Sequence, residues 1–282
     1  MKQKTAAFNK AMSFINARIN QVCELTKPQK RFLSWIFEKW IMLPVRHNFL
    51  NLFRYADGRY SEKSIRNQFS RKMNFPGLFD SAFSGLRQKE CIAAFDPSFI
   101  RKSGKKTFGK GRFWSGKDQK AKPGLEIGCL ALVDVEDETA YSIEAVQTPG
   151  EMKNALMDHY VGIIRNNIDR IKSYTDYLAV GRLFYEKYVY RTDVENGLQV
   201  ITRMRPDASL QYLYKSPQKG SRSRKRRYAG KVDMNNIDKR RWPLFSADGH
   251  VLAFELIVWR VTLKKAAKVI YLKHKRGTGY TS

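Results

Sequence analysis

Cysteine is scarce. The chain of 282 residues has three, Cys23, Cys91 and Cys129. An odd number this widely spaced gives neither a disulfide framework nor a paired-cysteine zinc site. The four histidines show no ligand spacing, and a reducing, cytoplasmic compartment fits best. Long hydrophobic runs are missing as well. The richest, RFLSWIFEKWIMLP at 31–44, contains Arg31, Glu38 and Lys39 and stops at Pro44. It falls short of the roughly 20 apolar residues that span a bilayer. Residues 1–20 hold no continuous apolar stretch, so neither a signal peptide nor a membrane partner is expected. Acid is the third shortage: 26 Asp and Glu stand against 53 Lys and Arg, a net charge of +27. A surface that positive faces polyanions, with nucleic acid the first candidate and anionic membrane the second. Apolar residues make up 43% and aromatics 13%, enough for a packed core, which excludes wholesale disorder.

Three regions follow. Residues 1–85 read as helical, with Phe32, Leu33, Ile36 and Trp40, then Ile65, Phe69 and Met73, at helical spacing. Two short helices flank the turn ADGRY, with Ser61 as N-cap. This pattern suits a helix-turn-helix presenting Lys63, Arg66, Asn67 and Arg71 to DNA. It equally suits a helical bundle with a solvated basic face. Residues 86–204 read as α/β: CIAAFD as a strand ending on Asp96, two strands around a turn at 136–138, and a helix through Met152, Leu156, Tyr160, Ile163, Ile164, Ile168 and Ile171. The strand YLAV, a helix over 183–195 and the strand LQVITRM complete it. Residues 205–282 show strands and no clear helix, with a polar Gly/Ser/Arg-rich loop at 216–231.

Asp96 closes an apolar strand, where an unpartnered carboxylate is costly to bury. The segment after it, 101–122, holds nine Lys and Arg against one Asp. A carboxylate beside a basic, Gly-rich loop suits a Mg²⁺ site acting on a phosphodiester, with Lys102, Lys105, Lys106 and Lys110 holding the backbone. The alternative is that Asp96 merely opens a turn at Pro97. GKKTFGK at 104–110 has P-loop spacing, but Gly111 stands where a P-loop needs Ser or Thr, so nucleotide binding is not expected.

AFDPSFIRKSGKKTFG resembles the first acidic motif of bacterial DDE-type insertion-sequence transposases. YLAVGRLFYEK looks like the second motif, and GLQVITRMRPDASLQYLY is similar to the strand and insertion that follow it. The similarity runs from about residue 30 onward and is most specific over 91–148 and 174–214; the nearest group is the one named for insertion sequence number four. The resemblance implies a ribonuclease-H-like mixed sheet with an N-terminal helical domain and a β-rich insertion. It implies two Asp and one Glu around two Mg²⁺ ions that cut transposon inverted-repeat ends and transfer them to target DNA. Carried over, the first acid and metal ligand is Asp96. The second position is Gly181, which has no side chain. The third belongs on a closing helix beyond the β-rich insertion, which the chain to Ser282 does not reach. Asp176 lies at the wrong end of the YLAV strand, on the order of 16 Å from position 181, and Glu186 would have to reach back past Arg182.

The expectation is therefore a transposase-family protein that binds DNA in the bacterial cytoplasm and nucleoid, with a homodimer as its candidate assembly, and does not catalyse the family reaction. Its Mg²⁺ is not expected to bind productively. The rivals are a non-enzymatic sequence-specific DNA-binding protein, such as a transposition inhibitor, and a general nucleic-acid-coating protein. The basic run at 215–241 carries eleven Lys and Arg. Arg222, Arg224, Lys225, Arg226 and Arg227 are its phosphate-tracking candidates, with Tyr228 and Trp242 for stacking, unless it is a solvated loop.

Overall fold

The computed structural model describes residues 5–55, 57–84, 89–104, 107–150, 152, 155–181, 197–204, 207–217, 225–234, 236–238, 240–276 and 279–281. The chain forms two compact units, Met1–Leu178 and Ala179–Ser282, divided within one strand. It is mixed α/β, with seven helices among the described residues and two six-stranded sheets.

In the first unit, five helices open the chain: α1 (Ala6–Gln21), α2 (Lys27–Met42), α3 (Phe49–Arg54), α4 (Glu62–Phe69) and α5 (Phe75–Phe83). Each begins after a residue whose side-chain oxygen accepts a free backbone N–H: Thr5, Thr26, Asn48, Ser61 and Asn74. Such caps are worth ~1 kcal/mol apiece. Thr26 also exchanges bonds with Gln29 in a reciprocal capping box. Ile19, Phe32, Trp35, Ile36, Leu52 and Ile65 form the helical core. Tyr60 closes it, its ring 4.7 Å from Trp35 and edge-on to Phe32 at 5.5 Å. Burying each large apolar side chain stabilises by ~1.5–3 kcal/mol.

The sheet of this unit is organised on one long strand, β3 (Lys120–Asp134). β1 (Cys91–Arg101) pairs antiparallel along one edge of it, from Cys91↔Asp134 to Arg101↔Gly124. The other edge takes β2 (Gly111–Ser115) at the Lys120 end and β4 (Thr139–Gln147) at the Asp134 end. On the free side of β1 comes the start of β5 (Tyr177–Val180). Alternation along β1 and β3 buries Ala93, Phe95, Leu130 and Leu132 on one face. There α6 (Leu156–Asn166) contributes Tyr160, Ile163 and Ile164. Gly128 is required at this contact: a Cβ would lie 2.8 Å from the Phe95 ring.

Three expectations are corrected. β1 does not end at Asp96. It continues through Pro97 to Arg101, because β3 offers it a partner for that whole length, and Asp96 therefore opens no turn. Second, the basic segment 101–122 is not all loop, since Arg112–Ser115 lies in β2 and folds back on β3 through the turn 116–119. Third, the helix expected through Ile171 begins at Leu156 and breaks at Asn167, and α7 (Ile168–Lys172) follows. The Asn167 amide donates to Ile163 O at 3.0 Å and to Glu144 Oε2 at 2.6 Å, while its Oδ1 accepts from Arg170, which bonds Asp80. A side chain that competes for backbone carbonyls breaks helices, and here it ties the break to β4 and α5.

In the second unit, the end of β5 neighbours β6 (Gln199–Thr202). The helix expected over 183–195 lies outside the described residues. A second sheet runs in the order β12 (Gly279–Thr281), β11 (Lys265–Arg276), β10 (Val251–Arg260), β7 (Leu210–Leu213), β8 (Tyr228–Lys231), with β9 (Leu244–Ala247) also paired to β10. β10 and β11 form a ten-residue ladder, Val251↔His274 to Arg260↔Lys265. Leu210, Val232, Trp242, Phe254, Val258 and Val269 make its core. As the sequence suggests, no helix occurs among the described residues of 205–282.

Candidate nucleic-acid interface

Asp96 stands in the middle of β1, opposite Cys129, on the face away from Phe95 and Leu130. Its side chain is exposed, yet partial burial beside the sheet pushes its carboxyl above the ordinary 3.8. Among the described residues it has no hydrogen-bond or ion-pair partner. The nearby buried acid, Glu126, lies on the opposite face and accepts the Tyr160 hydroxyl. Burial first, and Glu126 second, hold that phenol above its ordinary value.

A two-metal site needs several carboxylates converging on one point. Among the described residues no three of His, Cys, Asp and Glu do so. Gly181 follows β5 with no side chain, and Asp176 precedes that strand at its other end. Glu186 and Arg182 lie outside the described residues. The described residues do not fit the Mg²⁺ pair that the resemblance implies.

The first basic surface is α4. Lys63, Arg66 and Asn67 are exposed on α4 while Ile65 between them is buried in the core, so they take the outward side; Arg71, expected on the same helix, falls past its end at Phe69 and is exposed there. Arg66 is partly committed: its guanidinium bonds Glu62 and lies 4.7 Å over the Phe49 ring. Lys63 and Arg71 have no acidic partner among the described residues.

The second surface is the β2–β3 hairpin with the loop before it. Lys102 is exposed, and Lys105 and Lys106 lie outside the described residues. Lys110 differs from expectation. Its ammonium turns back to the carbonyls of Gly104 at 3.1 Å and Ser103 at 3.4 Å, so it braces its own loop. Sequence reasoning passed over the aromatics here. Trp114 is 54% exposed and Phe108 91% exposed; Arg112, Lys117 and Lys120 are exposed as well, Arg112 on the face of Trp114 and Lys120, opposite Ser115, on the other. Alternation explains it: in RFWS, Phe113 and Ser115 point in, so Arg112 and Trp114 point out. The sequence carries no polar–apolar alternation here, since Phe113 and Trp114 are adjacent aromatics; only the pairing of β2 with β3 decides which of the two points out.

In the second unit, Lys225, Arg226 and Arg227 are exposed just before β8, and Arg222 and Arg224 lie outside the described residues. Arg226 donates to Tyr228 O at 2.9 Å and sits 5.3 Å over the Tyr214 ring. Of the two aromatics read as stacking partners, Trp242 is corrected: it is buried in the core, its indole N–H donating to Tyr212 Oη. Tyr228 is half-buried against Trp259. Among known proteins, no family model matches the chain and no curated sequence matches it.

Proposed function

We propose that this chain is a nucleic-acid-binding protein of the transposase type that holds DNA without cutting it. The observation that carries the reading is the placement of its excess charge. Lys63 on α4, Arg71 just past its end, and Arg112, Lys117 and Lys120 on the hairpin that exposes Trp114 are exposed cations that form no ion pair with a carboxylate among the described residues. Cations left unpaired on a +27 chain favour phosphates, and an aromatic face among them favours bases. The transposase-type core is supported by chain order: the antiparallel strands β1, β3 and β4, a helical segment, then β5 and β6, with Asp96 on the first strand. The absence of cutting rests on Asp96 standing without two further acids beside it among the described residues, and on Gly181 at the second position.

The test has two readouts on purified protein. A labelled duplex carrying an inverted repeat, titrated against a scrambled duplex, should bind, and preference for the repeat identifies end recognition. Supercoiled plasmid incubated with Mg²⁺ or Mn²⁺ should stay supercoiled. Nicking above background that Asp96→Asn abolishes would overturn the non-cutting reading.

A further inference from the structure

We infer that a polar cleft in the helical region, distinct from the α4 face and the hairpin, is a binding site for a phosphoryl group. The cleft has a volume of about 690 Å³ and opens between α1, α2 and the turn that leads into α4. Lys30, Arg31 and Arg59 line it together with Tyr60, Ser34 and Asn16, and none of its lining residues is acidic. Three cations facing a cleft without a carboxylate repel one another unless an anion lies between them.

The walls are built to hold this arrangement. Lys30 Nζ donates to Asn20 O at 2.8 Å, which pins the α2 lysine across to α1. Ser34 Oγ donates to Asn16 Oδ1 at 2.6 Å across the same gap. Tyr60 is wedged against Trp35 and Phe32, so its position is set by the core. Arg59 is held at its backbone, where its N–H donates to Asp57 Oδ1 at 3.3 Å. Asp57 is itself occupied elsewhere, by the Trp35 indole and by Lys39 at 3.3 Å, so it does not neutralise the cleft. Burial works against its ionisation, but the bonds from Arg59, Trp35 and Lys39 outweigh it and hold its carboxyl below 3.8. The arginine side chains remain exposed and without acidic partners among the described residues. Guanidinium forks match phosphate oxygens two at a time, and the lysine adds a point charge.

The shared chemistry is a phosphate ester or anhydride. Its source is either a strand phosphate of DNA, in which case the site extends the proposed function, or a free phosphorylated small molecule. The full-length chain is titrated calorimetrically at low salt with sodium pyrophosphate as the probe. One molecule should bind per chain. The double variant Arg31→Gln/Arg59→Gln should melt with the wild type and lose at least about tenfold in affinity. Lys63→Gln/Arg71→Gln, at residues that do not line the cleft, should bind pyrophosphate unchanged. Lys30 is left intact because it also bridges two helices. Pyrophosphate binding that is absent in the wild type, or equal in the cleft variant, overturns the site. A duplex-DNA titration of the same variants then assigns the source. A salt slope reduced by about 1.8, two phosphates' worth, places a DNA strand in the cleft. An unchanged slope with pyrophosphate binding lost assigns the cleft to a small molecule. Wild-type protein that binds pyrophosphate but no DNA sinks the proposed function and leaves the site standing.

Discussion

The two ends of β3 are built for different work. At one end Asp134 is fully buried, yet both of its carboxylate oxygens are partnered. Its Oδ2 takes Lys89 at 2.7 Å, and its Oδ1 accepts the N–H groups of Glu136 and Asp137 that turn the chain into β4. Lys89 also bonds Asp137. At the other end, around Lys120, the only ion pair among the described residues is Lys122–Asp118 at the turn, and Arg112, Lys117, Lys120 and Trp114 face solvent. Between them Asp96, opposite Cys129, has no hydrogen-bond or ion-pair partner among the described residues. Charge that is fully paired serves folding, and charge left unpaired beside an exposed aromatic is available to a ligand.

Breaking the paired end gives the largest effect. Lys89→Met leaves a buried carboxylate uncompensated and should lower the thermal midpoint more than any surface substitution. The Lys89 bond, ahead of the opposing burial, holds the Asp134 carboxyl below 3.8, and the two acids hold Lys89 above 10.5. A lowered acid contributes stability that is complete above 3.8 and fades as pH falls through its folded value. A raised lysine contributes stability that is complete below 10.5 and fades only above it. Wild type and variant should therefore differ most between these limits and converge in strong acid, as melting curves across pH would reveal. An unchanged midpoint at pH 7 would mean that the clamp is idle.

At the unpaired end, Trp114→Ala should leave the melting curve in place and weaken binding of a single-stranded oligonucleotide by roughly five- to hundredfold, the range for losing one stacked base. Equal affinity would remove the hairpin from the interface. A smaller loss is expected from Lys63→Gln/Arg71→Gln, on α4 and just past its end. Duplex affinity should fall alike for every sequence, with a salt slope lower by about 1.8. A loss confined to one sequence would instead give α4 a base-reading role.

Asp96→Asn should have the smallest effect. A raised carboxyl means that its ionised form is disfavoured in the folded chain, a cost present above its folded value that vanishes as pH falls toward 3.8. The variant should melt at or slightly above the wild type at pH 7 and lose that margin in acid. A clear loss of stability would reveal a partner for Asp96.

Much of this frame was legible beforehand. Ser61 announced the start of α4, the turn at 136–138 announced the β3–β4 hairpin, and YLAV announced β5, because caps, turns and apolar runs are local signals. What escaped depended on partners distant in sequence. β1 runs past Pro97 only because β3 is there to pair with it, and β2 exists only as an edge of the same strand. Asn167 breaks a helix whose apolar spacing is continuous because Glu144 and Arg170 are in reach. Asp96 was recognised as a lone acid, but its mid-strand position was not foreseen. Trp242, read as a stacking residue from its basic neighbours, belongs to the core of the second sheet.

The most direct test of nucleic-acid binding is the affinity of the full chain for one labelled 20-base-pair duplex measured at five or more salt concentrations. Binding should be tight at low salt, and log affinity should fall in a straight line with log salt, steeply enough to report several phosphate contacts. No binding at low salt, or an affinity indifferent to salt, would contradict that expectation.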